Sequence, residues 1–116
     1  MTSLPGAVDP VEAFLRALCL YLQDRGHILF PMLEVSGQQR VRIALLGLYR
    51  RHDAEETGYL RFEDVVAALL ECSSCMERLR REAGLEGFEE TKDGVYAVFS
   101  VEALRRLRGR CRSQAQ

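Results

Sequence analysis

The chain has 116 residues, the size of one domain, with 16 basic and 17 acidic side chains and a net charge of −1. A hydrophobic content of 47% excludes a disordered chain. A protein of this size buries roughly two-thirds of its unfolded surface, enough for a core that needs no metal or disulfide. No apolar run is long enough to span a membrane, and Met1–Gly6 lacks the basic and apolar regions of a secretion signal. The expectation is an intracellular protein, cytoplasmic or nuclear, without membrane contact.

Residues 1–8 read as a short flexible tail. Asp9-Pro10-Val11-Glu12 is a helix start, with an Asp cap, Pro at the first helical position and Glu three residues after the cap. Val11, Leu15, Leu18 and Leu22 then recur at helical spacing as far as Gly26. His27–Phe30 is a brief extended candidate, limited by Pro31, which cannot donate a ladder hydrogen bond. Ser36-Gly37 is a break. A second helix is expected from Gln38 to about Arg51, with Val41, Leu45, Leu48 and Tyr49 as its stripe. A polar connection, His52–Gly58, leads to a very short strand at Tyr59–Arg61.

A third helix follows from Phe62 to Leu70, then a turn at Glu71–Ser74 and a fourth helix to Ala83. Gly84 stops that helix. Phe88–Thr91 and Val95–Phe99 flank Lys92-Asp93-Gly94, an Asp-Gly hairpin signal with β-branched and aromatic neighbours. Ser100 caps a last helix through Leu107, and the tail from Gly109 is polar and frayed. Leu20-Tyr21…Gly26–Phe30 echoes Leu48-Tyr49…Gly58–Phe62 weakly, as recurring helix–turn–strand units would. The fold class expected is mainly α with a small β-hairpin.

Charge is uneven. Residues 1–70 carry 7 basic and 9 acidic side chains, and residues 71–116 carry 9 and 8. Residues 103–116 hold five arginines and no acid, and Lys92 stands alone against 15 arginines. Coding bias accounts for the missing lysines. The functional alternative is that arginine suits phosphate and carboxylate contacts better than lysine does.

The stretch Ala68–Gly84 resembles the helix-turn-helix segment of winged-helix DNA-binding proteins. The resemblance rests on the small residue and Leu of its first helix, the turn Cys72-Ser73-Ser74, and the apolar Met76 and Leu79 of its second. It covers about residues 38–100. It implies a winged-helix-like domain over 37–108, preceded by an N-terminal helical extension (9–36) and followed by a polar tail (109–116). Residues 74–83 would be the recognition helix, with Ser74, Glu77, Arg78 and Arg81 outward.

Arg78 and Arg81 would then reach guanine edges or phosphates, and Ser73 and Ser74 would hold a phosphate at the helix N-terminus. Lys92 would touch the backbone from the wing tip. Glu77, Glu89 and Glu90 oppose that use. The implied function is a non-enzymatic, regulatory domain on double-stranded DNA. The alternative is a protein-interaction adaptor of winged-helix or degenerate EF-hand type that does not bind DNA, with the N-terminal helix serving a protein partner or a homodimer.

Asp53–Asp64 also resembles an EF-hand loop, with Asp at position 1, Gly58 at 6 and an apolar residue at 8. Calcium wants oxygen at position 9 and a bidentate Glu at 12. Arg61 and Asp64 stand there instead, so a degenerate, non-binding loop is expected. Cys72-x-x-Cys75 has zinc-ligand spacing, but Cys19, Cys111, His27 and His52 are scattered singly, and no βαβ pattern supports a redox motif. Buried small thiols are therefore expected, with no metal and no cofactor. No phosphate loop, nucleophile elbow or paired histidine–carboxylate set is present, so no catalytic residue is assigned.

Overall fold

The computed structural model describes residues 7–114, with side chains as far as residue 111. It is mainly helical, with a small three-stranded antiparallel sheet. The elements in order are α1 (Pro10–Ser36), β1 (Arg40–Ala44), α2 (Leu45–Tyr49), α3 (Ala54–Thr57), α4 (Phe62–Leu70), α5 (Ser73–Ala83), β2 (Leu85–Thr91), β3 (Gly94–Ser100) and α6 (Val101–Gln114).

α1 begins as the sequence indicates. Asp9 accepts from the Val11 N–H at 2.8 Å, and Pro10 opens the helix where its missing N–H costs nothing. It does not end at Gly26. The expected strand at His27–Phe30 is helical, and Pro31 lies inside the helix. The reason is the buried stripe, which continues through Leu22, Gly26, Phe30 and Leu33, while His27 and Pro31 face outward. Proline there frees the His27 carbonyl on the exposed side, where water can satisfy it.

Nor is α1 an extension beside a finished domain. Val11, Phe14, Leu18 and Leu22 are fully buried, and the Phe14 ring lies 5.6 Å from Phe62, 6.3 Å from Phe88 and 6.4 Å from Phe99. α1 is the central helix of the core, and the apolar stripe expected to serve a partner is covered by this chain's own elements. Of the expected tail, residues 1–6 lie outside the described residues. Ala7 and Val8 pack against the core, and the Val8 N–H donates to the Thr57 carbonyl at 2.8 Å.

The expected helix over Gln38–Arg51 is instead a strand and a short helix. Arg40, Arg42 and Ala44 are exposed and Val41 and Ile43 buried, a period of two. β1 pairs along β3 from Arg40 opposite Ser100 to Ala44 opposite Tyr96. β2 pairs on the other side of β3, with an irregularity between Leu85 and Gly87. The sheet order is therefore β1-β3-β2. Its inner face, with Val41, Ile43, Leu85, Ala97 and Phe99, closes on the helices. On its outer face Arg40 pairs with Glu86 and Arg42 with Glu89, both at 2.8 Å.

α4, α5 and the hairpin lie where expected. Asp64 accepts from the Arg61 N–H to start α4. Gly84 ends α5 at φ 74°, and a side chain there would strike the Ala103 Cβ at 2.5 Å. Only glycine meets both demands. Residues 52–58 contain the short helix α3, and Tyr59 makes a single bridge in place of a strand.

The expected frayed tail from Gly109 is helix as far as Gln114, because Cys111 is 2% exposed and bonded to Cys19 of α1. The four cysteines form two disulfides, Cys19–Cys111 and Cys72–Cys75, which corrects the expectation of buried free thiols. None of the helices is long and apolar enough to cross a membrane among the described residues.

Candidate interaction surfaces

α5 is presented by two local devices. Cys72 occupies its N-cap, its sulfur accepting from the Cys75 N–H at 3.2 Å. Leu79 and Ala83 then fix the buried side, leaving Ser73, Ser74, Glu77, Arg80 and Arg81 exposed. Four of the expected contact residues are therefore at the surface: Ser73, Ser74 and Arg81 on α5, and Lys92 in the two-residue loop of the hairpin.

Arg78 is not freely presented. Its guanidinium donates to Asp9 at 2.7 Å and lies 3.4 Å from Glu82. The hydrogen bond to Asp9, then its charge, holds the Arg78 pKa above the ordinary arginine value. Asp9 thus caps α1 with one oxygen and ties α5 to it with the other. A seven-residue step from Ser73 puts Arg80 on the outer face, a position that spacing alone could have supplied. Ser73, Glu77 and Arg80 line an open groove of about 680 Å³ between α5 and β2.

The hairpin offers little positive charge. Lys92 has exposed Glu90 and Asp93 as neighbours, and Glu89 is held by Arg42. The arginines of α6 are largely engaged within the fold. Arg105 and Arg108 lie over the Phe30 ring at 5.8 and 5.1 Å, Arg106 faces Glu102, and Arg110 donates to the Glu82 carbonyl. Gly26 makes the Arg108 stacking possible, since a Cβ there would meet its guanidinium at 2.6 Å.

The EF-hand-like stretch has its carboxylates employed locally. Asp53 caps α3 by accepting from the Glu55 and Glu56 N–H groups, and Asp64 caps α4. His52 lies with Nε2 2.7 Å from the Tyr59 carbonyl, so that nitrogen carries the proton, and its ring packs on Phe62. His27 is exposed on α1.

A second surface was not legible in the sequence. Ile28, Met32 and Val35 follow one another at helical spacing on the outer side of α1, and they are 49%, 64% and 91% exposed. Ile28 and Met32 border a groove of about 490 Å³ whose other wall is Ala44 and Gly47, with Arg25 and Arg50 also lining it. Gly47 brings α2 close to α1, since a Cβ there would meet the Tyr21 ring at 3.0 Å. Arg51, on the same rim, is held by Asp24 at 3.1 Å. Arg25 and Arg50 make no ion pair among the described residues.

Comparison of the chain with protein-family models, curated proteins and solved structures finds no match.

Proposed function

We propose that this chain is a non-enzymatic winged-helix domain that docks a protein partner in the groove between α1 and α2. The winged-helix reading is supported by the order of helix, strand, helices and hairpin, and by a sheet in which β1 and β2 flank β3. A hairpin over Leu85–Ser100 favours it over a degenerate EF-hand pair, in which Asp53–Asp64 and the weak echo at Gly26–Phe30 would be the two loops, joined by short strands at Ile28 and Leu60. Ile28 lies within α1.

The observation that carries the docking reading is the exposed stripe Ile28, Met32, Val35 beside a groove lined by Arg25 and Arg50. An apolar stripe of this kind is a frequent mark of an interaction site. The rim charge selects the occupant: an amphipathic helix whose apolar side faces Met32 and whose flanks are acidic.

Fluorescence anisotropy with a labelled acidic amphipathic helix and its charge-reversed counterpart tests this. The acidic helix should bind, should weaken with salt, and should bind at least tenfold more weakly to Met32→Glu. Equal binding of both helices, binding of neither, or no effect of Met32→Glu would overturn it. Self-association abolished by Met32→Glu, seen in sedimentation, would give the face to a second copy and reject the partner proposed.

A second reading, double-stranded DNA bound by α5, is favoured by the joint exposure of Ser73, Ser74, Arg80 and Arg81. It is opposed by Glu77, by the acidic neighbours of Lys92 and by the Asp9–Arg78 pair. Arg81→Ala is therefore its informative variant. Binding of mixed duplexes at low salt, weakening with added salt and with Arg81→Ala, would support it. No binding at low salt would dismiss it.

A further inference from the structure

We propose that the Cys72–Cys75 disulfide is a dithiol–disulfide exchange site whose co-reactant is a low-molecular-weight thiol. Cys72 is the N-cap of an 11-residue helix, and its sulfur already accepts the Cys75 N–H at 3.2 Å and lies 3.4 Å from the Ser74 hydroxyl. No acidic residue occupies the first turn of α5. On reduction, the same N–H, the hydroxyl and the positive end of the helix dipole would stabilise a Cys72 thiolate. Such settings lower a thiol pKa below about 8.5 and make the disulfide easier to reduce.

Both cysteines are half-buried, but their packing partners differ, which assigns their roles. Cys75 packs against the hydrophobic core, whereas Cys72 sits at the helix start beside exposed Ser73. The incoming thiolate attacks the Cys72 sulfur, forming a mixed disulfide and expelling Cys75 as a thiolate that takes a proton. A second thiolate then attacks the small-molecule sulfur of that mixed disulfide. It leaves as the oxidised small-molecule disulfide, and Cys72 is released as a thiolate. Two thiols lose two electrons and two protons in all; the protein disulfide gains both electrons, Cys75 takes up one proton, and the other goes to solvent while Cys72 stays a thiolate.

The second disulfide supplies an internal reference. Cys19–Cys111 joins α1 to α6 across 92 residues, with Cys111 buried at 2% exposure, whereas Cys72–Cys75 closes a separation of three. In the intact chain, equilibrated with graded ratios of reduced and oxidised glutathione, acid-quenched, alkylated and mapped by mass spectrometry, Cys72–Cys75 should open while Cys19–Cys111 stays closed. The ratio at half-opening should differ by at least tenfold between them.

With Cys75→Ser, the Cys72 thiol should alkylate with a pH midpoint at least one unit below about 8.5, the ordinary value. Opening of both disulfides at the same ratio would overturn the proposal. So would a Cys72 midpoint at or above the ordinary value. The wild-type partition needs no substitution, so it decides the matter even if the Cys75→Ser chain does not fold.

Discussion

Replacing Phe14 by Ala asks directly whether α1 belongs to the core. Phe14 has no exposed surface, and it touches rings from α4, β2 and β3. Truncating it removes a buried aromatic and leaves a void walled by three elements that cannot all move inward, a loss of about 3–5 kcal/mol. Unfolding entropy of about 2.1 cal/mol/K per residue gives a chain of this length about 0.24 kcal/mol/K, so the midpoint should fall by about 12–20 °C. Met32→Ala, on the same helix but 64% exposed, should stay within about 0.5 kcal/mol of wild type. Urea titration followed by circular dichroism, with a thermal scan, measures both. A Phe14→Ala loss below about 1 kcal/mol would refute the central placement of α1. Cooperative unfolding of a chain that begins at residue 37 would refute it as well.

The Cys19–Cys111 bond spans 92 residues, and restricting so long a loop in the unfolded chain stabilises by about 4–5 kcal/mol on the chain-entropy account. Paired Cys19→Ser and Cys111→Ser changes should lower the urea midpoint accordingly, and an unchanged midpoint would contradict that account. Pro31→Ala should restore the missing hydrogen bond of α1 and raise stability by about 1–3 kcal/mol, read by the same titration; a loss would show that the helix depends on its proline. Burial, then Glu63, raises the Tyr49 pKa above 10.0, and burial, then Asp9, raises that of Tyr59. Both tyrosines are neutral in the fold, so their contribution is complete below pH 10 and is lost as pH rises through the raised values. Phenolate absorbance should therefore show two late-titrating tyrosines, with stability declining only above about pH 10.

Elements specified by neighbours in sequence are legible in the sequence itself. α4, α5 and the hairpin carry their own signals: Gly84 beyond a helix, Asp93-Gly94 between two β-prone runs. β1 was not, because Val41, Leu45 and Leu48 fit a helical stripe as well as Val41 and Ile43 fit a strand. What separates the two is the edge of β3, more than 50 residues further along the chain. The far half of α1 was hidden for a related reason. Pro31 reads as a breaker until Phe30 and Leu33 are seen to be buried on the opposite side.

The candidate contact residues follow the same division. Helical spacing correctly brought Ser74 and Arg81 to the surface. It could not report that Asp9, 69 residues away, takes hold of Arg78. Nor could it show that the arginines of α6 would be drawn onto Phe30, Glu102 and the Glu82 carbonyl. Met32 follows Ile28-Leu29-Phe30 across Pro31, and Val35 stands alone beyond Glu34, so only the helical course of α1 through Pro31 lines the three up on one face.

Covalently, the bond between Cys19 and Cys111 makes everything from residue 19 to residue 111 a closed ring, to which the buried N-terminal turns of α1 are attached at Cys19. A protease that cuts once anywhere on that ring, for instance at Lys92 in the exposed hairpin loop, changes the connectivity of the chain without dividing the molecule. The nicked protein would run as one intact mass in electrophoresis without reductant and as two pieces with it. Such a molecule could be opened in the hairpin and given new termini there, with its two unequal pieces still held together in a one-to-one ratio.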